Sequence, residues 1–385
     1  MDKLSRLPRP GQRTAFVMAF TIAFEVHLLL FCLSPMVSVV MEEMRLTHAQ
    51  FGLVFSVAMV SLILFRLPWG LVADRRGYVG VLRLALVLSA AAVAMRAVSQ
   101  DYAGLLVSQF FVGLGLAAVM PCLSLMVKEW SRSRPGLGTG IYFAGFAVGN
   151  ASALVVTPYL LQLMPWRQVF LVYAAVAGIV CLAWFVLGRS GNGLVSTAVK
   201  LGDLRIVLRE RLVWVLLFLL VGSMGCYDTL ASWMPRVLQM KELNPELASV
   251  LPVGFFAAGP VMGLMLDRFR SRRTLIALLG VVTAASIALM VFNSVPLLVV
   301  CFFVAGFTTT GVSVASLAMP VEDKRLSPYA GTVAGFITSV SNVGPLAVPV
   351  LFGYLIDVTG FYTMSLFAVA ALGLIVFVGC SRVMD

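Results

Sequence analysis

The sequence predicts an all-α polytopic membrane protein with twelve transmembrane helices in two pseudo-symmetric six-helix bundles. Three observations predict this fold class: an apolar composition, twelve long apolar segments, and a repeat that relates the two halves of the chain. Of the 385 residues, 61% are hydrophobic and 12% are charged, whereas a soluble domain carries about 25% charged residues. Because the chain lacks the polar surface of a soluble protein, its main solvent is lipid.

Twelve segments are long enough to cross a bilayer, which takes about 20 apolar residues. We call them spans 1 to 12, and their predicted limits are 14–40, 49–71, 79–98, 103–126, 137–162, 166–188, 212–239, 246–266, 273–292, 296–319, 329–355 and 361–381. Turn and cap residues separate them: Thr47 and Gln50 predict a capping box at the start of span 2. Span 1 is too long for a signal peptide and lacks a cleavage site, so we expect it to be a helix.

The basic residues lie mainly on one side of this arrangement. With the N-terminus inside, 22 of the 28 Lys and Arg residues fall at inner ends and loops, and five fall outside, namely Arg45, Arg96, Arg167, Arg236 and Lys241. The remaining one, Arg66, lies within a span. This asymmetry predicts a multi-pass plasma-membrane protein with both termini in the cytoplasm. It also explains the net charge of +11 without a nucleic-acid partner.

Cysteine and histidine usage excludes several kinds of site. All six cysteines lie in apolar runs without a CxxC pair, and His27 and His48 are too far apart for a metal motif. We therefore expect no disulfide, no metal and no cofactor. No acid–base–nucleophile set lies on one helix face, so we do not expect an enzyme.

Landmarks of the first six spans recur in the last six at an offset of 193 residues. The recurring positions are Gly70/Gly263, Asp74/Asp267, Arg75/Arg268, Gly113/Gly306 and Gly138-Thr139/Gly331-Thr332, with Asn150/Asn342 offset by 192. The repeat predicts a bundle at 1–188, a cytoplasmic linker at 189–211 and a second bundle at 212–385. Two parallel six-helix repeats are typical of an alternating-access carrier whose site lies between them.

The loop between spans 2 and 3 carries a recognisable motif. Gly70, Asp74, Arg75 and Gly77 fit the pattern Gly-x-x-x-Asp-Arg/Lys-x-Gly. Through this motif and its second copy at Gly263, Asp267 and Arg268, where Arg270 replaces the expected glycine, the chain resembles a major facilitator superfamily transporter over its whole length. The resemblance implies a gate in which Asp74 faces a helix N-terminus across the interface, a contact of ~0.3–1 kcal/mol. The alternative is a plain positive-inside anchor.

Other stretches resemble particular branches of that superfamily. "FRLPWG", which contains Arg66, resembles the anion-binding segment of nitrate/nitrite porters, and Gly149-Asn150 matches their span 5. Gly259 stands where those porters have a second arginine. "CYDTLASWMP" and "MPCLSLMVKEW" resemble the cyanate-permease-like branch, and "SQFF" and "VGNAS" resemble FLVCR-like haem/choline-related carriers. Gln109 stands where proton-coupled relatives carry an arginine, and the drug-antiporter signature of span 5 is absent.

Charged side chains within spans predict the site, because each costs ~2.5–3.5 kcal/mol to insert. Our substrate-binding candidates are Glu25, Arg66, Tyr142, Asn150, Tyr227, Asp228, Trp233, Phe336 and Asn342, and our proton-coupling candidates are Glu25, His27 and Asp228. Structural alternatives stay open for each. Arg66 could pair with Glu25, Asp228 could bond to Tyr227, His27 and the aromatic rings could simply pack, and the two asparagines could hold helices together.

Glycines in span 5 predict close helix packing. The pairs Gly136/Gly140 and Gly145/Gly149 lie one turn apart, a spacing that lets a neighbouring helix approach the backbone.

The predicted function is secondary active transport of a small polar solute by alternating access, most simply a small anion or monocarboxylate moved with a proton. One alternative is a carrier of a zwitterionic or cationic solute, such as a choline- or amine-like compound. Another is a receptor or scaffold with the same fold. The expected partners are the solute, protons and the lipid bilayer, and the expected state is a monomer.

Overall fold

The apolar segments form helices close to their predicted limits. The computed structural model describes residues 10–130, 135–190, 205–268, 271–323 and 325–383. In these ranges the regular structure is helical, and twelve helices are long and apolar enough to cross a membrane. An even number of spans puts Pro10 and Val383, where the described part of the chain begins and ends, on one face of the bundle. We call this face the terminal side and the other face the opposite side.

Spans 1 to 6 make up the first half. Span 1 begins as Pro10–Phe31 and continues through the 3-10 turn Ser34–Met36 to Val37–Met44. Spans 2 and 3 are His48–Arg76 and Tyr78–Val98, and span 4 is Tyr102–Leu116 followed by Val119–Trp130. Spans 5 and 6 are Pro135–Leu163 and Trp166–Leu187.

Spans 7 to 12 make up the second half. Span 7 is Arg211–Met240, and span 8 is the turn Pro245–Ser249 with Val250–Arg268. Spans 9 and 10 are Arg272–Leu289 and Val295–Glu322. Span 11 is the turn Ser327–Tyr329 followed by Ala330–Val340 and Val343–Thr359, and span 12 is Tyr362–Val383.

The cap predicted for span 2 is confirmed. Thr47 accepts a hydrogen bond from the backbone of Gln50, whose side chain in turn accepts from the Thr47 backbone. At the other end, Gly77 ends the helix with φ 84°, a left-handed conformation that a glycine adopts without strain.

The repeat is confirmed by helix packing at matching positions. A Cβ at Gly113 of span 4 would lie 2.3 Å from the carbonyl oxygen of Ala58, and one at Gly306 of span 10 would lie 2.1 Å from that of Leu251. Ala58 and Leu251 are themselves 193 residues apart. Span 4 therefore packs on span 2 as span 10 packs on span 8.

Span 5 confirms one glycine pair and contradicts a member of the other. Cβ atoms at Gly145 and Gly149 would lie 2.4 and 2.1 Å from the carbonyl oxygens of Phe20 and Phe24, so span 1 approaches the span 5 backbone closely. The prediction for Gly140 is wrong, because a Cβ there would meet no atom within 4 Å. The side chain environment of Gly136 lies outside the described residues.

Each half packs mainly within itself, and the halves meet along spans 1 and 7, 2 and 11, and 5 and 8. The limits 1–188, 189–211 and 212–385 stay a prediction, because residues 191–204 lie outside the described part of the chain.

Candidate functional site

Two buried side chains join the halves near the middle of the bundle. The Asn150 amide of span 5 donates a hydrogen bond to the Tyr227 hydroxyl of span 7 over 3.0 Å. Asn150 is fully buried, and its Oδ1 has no hydrogen-bond partner in the described part of the chain. The Asn150 side chain therefore holds two helices together and keeps one free acceptor between the halves.

His27 faces the second half from span 1. Its ring is stacked on Phe146 at 4.5 Å and lies 6.4 Å from the ring of Phe255 on span 8. Phe255 also lies 5.2 Å from Tyr227. The Nδ1 atom of His27 is buried without a hydrogen-bond partner among the described residues. His27 thus packs as an aromatic ring and lies at the junction of the halves.

Arg66 reaches from span 2 to span 11. Its Nη1 donates to the carbonyl oxygen of Thr338 over 2.7 Å, and the amide of Asn342 donates to the same oxygen over 2.8 Å. The break in span 11 frees this carbonyl, because the backbone N–H of Asn342 turns to Ser339 over 3.4 Å. Pro345, which has no N–H, follows the break and weakens the helix there.

Arg66 has no carboxylate partner among the described residues. It is half-buried, and the predicted alternative of a pair with Glu25 is not formed. Glu25 is 1% exposed and accepts a hydrogen bond from Ser89 over 3.3 Å, which places it between spans 1 and 3 of the first half. The structure therefore does not bring Glu25 to Arg66.

Asp228 lies beside Tyr227 in sequence without bonding to it. The Tyr227 hydroxyl accepts from Asn150, and Asp228, which is half-buried, makes no hydrogen bond to the described residues. One turn earlier on the same face of span 7, the Met224 sulfur accepts a hydrogen bond from Ser341 of span 11. Asp228 therefore lies on a face of span 7 that is turned toward span 11.

A cavity of about 460 Å³ lies between spans 5, 8 and 10. Its lining includes Gly140, Phe143, Phe255, Phe256, Gly259 and Thr310. The cavity is largely apolar, and Phe255 connects it to His27 and Tyr227.

Of three predicted aromatic candidates, one lies beside the cavity and two lie elsewhere. Tyr142 is 4% exposed and packs on Phe143 and Phe146 beside the cavity. Trp233 is buried and donates to the carbonyl oxygen of Pro349 over 3.0 Å, toward the opposite side. Phe336 packs on Trp214 at 6.2 Å within the second half. The structure brings neither Trp233 nor Phe336 to the cavity.

On the opposite side, polar contacts hold the halves together. Asp357 of span 11 accepts from the backbone N–H groups of His48 and Ala49, over 2.9 and 2.8 Å, at the start of span 2. The His48 Nδ1 lies 2.7 Å from the same carboxylate. Ser34 donates to span 7 carbonyl oxygens over 2.5 to 2.6 Å, and Ser38 contacts Gln239.

The motif residues lie at the terminal side. Asp74 and Gly70 are on the last turns of span 2, Gly77 ends that span, and Arg75 is exposed. The side chains of Gly263 and Asp267 lie outside the described residues, and Arg268 is exposed at the end of span 8. Their gating role stays a prediction.

Arg96, which the sequence assigns to the outer side of the membrane, is a buried charge in the structure. It is 0% exposed, donates to the carbonyl oxygen of Leu29 over 2.8 Å and contacts the Gln109 amide oxygen. Its guanidinium also lies over the Phe170 ring. A guanidinium from span 3 therefore reaches Gln109, where the resemblance leads one to expect an arginine of span 4. The sequence offered one signal of this burial: Arg96 lies within the predicted limits of span 3, 79–98, and not in the loop that follows.

Comparison with known proteins agrees with this architecture. The Major Facilitator Superfamily model matches the chain twice, over residues 16–258 and 246–383. The chain belongs to the Major Facilitator Superfamily. The predicted fold of two six-helix bundles is thereby confirmed, and the protein is a transporter and not an enzyme.

Relatives within the Major Facilitator Superfamily cover most of the chain. The nitrite extrusion protein of Bacillus subtilis (strain 168) is 22% identical over 90% of this chain and 88% of its own length. The "Probable sulfoacetate transporter SauU" of Cupriavidus necator is 27% identical over 86% of this chain and 84% of its own. A bacterial homolog of the human lysosomal transporter Spinster, in an inward-facing and unoccupied conformation, has the same fold, with a TM-score of 0.78, 16% identity and 98% of each chain covered.

Proposed function

We propose that this protein is a secondary transporter that moves a small anion, such as a monocarboxylate, together with a proton by alternating access. The observation that carries the proposal is Arg66, a cation between the halves whose bond goes to the Thr338 carbonyl oxygen and not to a carboxylate. A guanidinium forms two parallel hydrogen bonds with a carboxylate, and these are stronger than a bond to a neutral carbonyl. An anion therefore competes well for Arg66.

The position of Arg66 supports this role. It lies ten residues before Arg76, the end of span 2, which corresponds to about 15 Å along a helix. The names of the relatives, which include nitrite extrusion and sulfoacetate transport, also favour an anionic solute. We place Asn150, Tyr227 and Asn342 beside Arg66 in the substrate site. Asn150 and Tyr227 bond to each other across the halves, and Asn342 donates to the same carbonyl oxygen as Arg66.

The proton is assigned to Asp228. It is half-buried, makes no hydrogen bond to the described residues and lies on the span 7 face turned toward span 11. Protonation would neutralise this carboxylate, so that the site could switch from one side of the membrane to the other without an unpaired charge in the membrane interior. Glu25, which is bonded to Ser89, and His27, which is stacked on Phe146, are the other candidates.

We propose that the terminal side is the cytoplasm and that a monomer in the plasma membrane is the working unit. The contacts of Asp357, Ser34 and Ser38 lie on the opposite side, so the state described is the one that is closed to the outside. The motif around Asp74 then belongs to the inner gate.

Uptake into proteoliposomes tests the proposal. Arg66→Gln removes one charge-assisted pair, worth ~1.5–3 kcal/mol, so we expect the affinity for acetate or nitrate to fall by about 10- to 150-fold. Arg83→Gln is the matched control, because Arg83 stacks on Phe185 within the first half and should leave uptake unchanged. Asp228→Asn should abolish uptake driven by a pH gradient while anion binding persists.

Asp228, which makes no hydrogen bond to the described residues, favours a second candidate, a carrier of a zwitterionic or cationic solute such as a choline-like compound. The same variants separate the two. If Asp228→Asn abolishes binding of choline while Arg66→Gln binds all solutes as the unmodified protein does, the anion proposal fails.

A further inference from the structure

We propose that the cavity between Gly140 and Gly259 binds the apolar body of the transported anion, so that the cargo is an organic carboxylate with a bulky apolar group. The inference rests on the proposed function and names the substrate class of the same site. It excludes a bare inorganic anion as the preferred cargo.

The repeat sets Gly259 against Arg66. Arg66 on span 2 and Gly259 on span 8 are 193 residues apart, which is the offset of the internal repeat, so they occupy equivalent positions in the two halves. They therefore lie at the same depth on opposite walls of the junction between the halves. One wall presents a guanidinium, and the equivalent position of the other wall presents no side chain.

The two cavity glycines do not serve helix packing. A Cβ at Gly140 or at Gly259 would meet no atom within 4 Å, whereas Gly145 and Gly149 of the same span 5 contact carbonyl oxygens of span 1. Because Gly140 and Gly259 have no side chain, they leave space in the cavity that they line, which has a volume of about 460 Å³. Ligand pockets for small molecules start at roughly 300 Å³.

The lining of the cavity suits an apolar group. Phe143 and Phe255 form one wall with their rings 6.3 Å apart, and Phe256 adds a third ring. None of the described residues that line the cavity is charged. A hydrated inorganic ion would lose its water there without gaining a partner.

Thr310 adds one polar group to the lining. It is 7% exposed, and its Oγ1 has no hydrogen-bond partner in the described part of the chain. Its hydroxyl is therefore an unused donor at the edge of the cavity. Phe255 lines the cavity and lies 5.2 Å from Tyr227, so the Asn150–Tyr227 pair adjoins the cavity. The charged end of the cargo then points out of the cavity past this pair, toward the wall that carries Arg66.

Competition binding to the purified full chain tests the proposal, with nitrate, acetate, butyrate and 3-phenylpropionate as probes. We expect affinity to rise along this series by at least tenfold from acetate to 3-phenylpropionate. Gly259→Leu fills the cavity, so it should weaken 3-phenylpropionate by about 10- to 100-fold and acetate by less than twofold. Gly140→Leu should act in the same way from the facing span, which keeps the test valid if one variant does not fold.

Gly80→Leu is the matched control, because Gly80 is exposed on span 3 and a Cβ there also meets no atom within 4 Å. It should change no affinity. If nitrate or acetate binds as tightly as 3-phenylpropionate, or if Gly259→Leu weakens all four probes equally, the inference is overturned. Loss of binding in Arg66→Gln would still support the anion proposal in that case. If none of the four anions binds to the unmodified protein, both proposals fall.

Discussion

The contact of Asp357 with the start of span 2 gives a quantitative prediction about the closed opposite side. Both carboxylate oxygens accept backbone N–H groups, from His48 and Ala49 over 2.9 and 2.8 Å. A helix N-terminus carries about half a positive charge, and a carboxylate there gains ~0.3–1 kcal/mol, or up to ~2 kcal/mol when partly buried. Asp357 is on span 11, so this energy is available only while the halves touch on this side.

Asp357→Asn removes the charge and one of the two acceptors but keeps the size of the side chain. The side chains of His48 and Asp357 are 21% and 25% exposed, so solvent screens part of the attraction. We therefore expect a loss of about 1–2 kcal/mol, which shifts the population toward the outward-open form by roughly 5- to 30-fold.

Distances between spin labels measure this shift. Labels at Glu42 and Phe361 are both on the opposite side, one on each half, and both residues are exposed. In Asp357→Asn we expect a longer distance to gain population. Asp101→Asn is the control, because Asp101 caps span 4 through the Gly104 N–H over 2.7 Å within one half. An unchanged distance distribution in Asp357→Asn, or an equal change in Asp101→Asn, would refute the reasoning.

Three further predictions concern stability, measured as thermal unfolding of the purified protein. Gly149→Ala should destabilise by about 1–3 kcal/mol, since its Cβ would clash with a backbone carbonyl of span 1, whereas Gly178→Ala, which meets no atom within 4 Å, should not. Lys241→Met should cost about 1–3 kcal/mol, because its ammonium donates to three carbonyl oxygens at the end of span 9. Gln109→Leu should destabilise the protein, because Arg96 loses a hydrogen-bond acceptor, and adding Arg96→Met should restore part of the lost stability. Equal stability of the Gln109→Leu variant and the double variant would contradict this prediction.

For the charged residues within spans, the sequence predicts which side chains matter but not which side chains they contact. Arg66, Glu25 and Asp228 can be identified from the sequence because each is a charged residue within a long apolar segment. Which neighbour each side chain faces was not visible. Glu25 meets Ser89 of span 3, and Arg66 meets the Thr338 carbonyl oxygen, from which the backbone N–H of Asn342 turns away where span 11 breaks after Val340.

Glycine spacing was a similarly partial guide. Gly145 and Gly149 form the close contact that their spacing predicts, but Gly140 borders open space. A small residue allows a close approach without requiring one, because the distance to the next helix is set by all the side chains along the interface.

The sequence by itself determined the number of spans, because the cost of placing polar backbone and charge in lipid acts on each segment separately. The landmarks that recur 193 residues apart indicated the duplication, and the motif between spans 2 and 3 indicated the family. The positions of His27, Asp357 and Arg96 were decided only by tertiary structure. His27 lies against Phe255, Asp357 lies at the start of span 2, and Arg96 contacts Gln109. These contacts join side chains that are distant in the sequence or lie on different spans, so they depend on how the helices are rotated and packed, which segment hydrophobicity leaves undetermined.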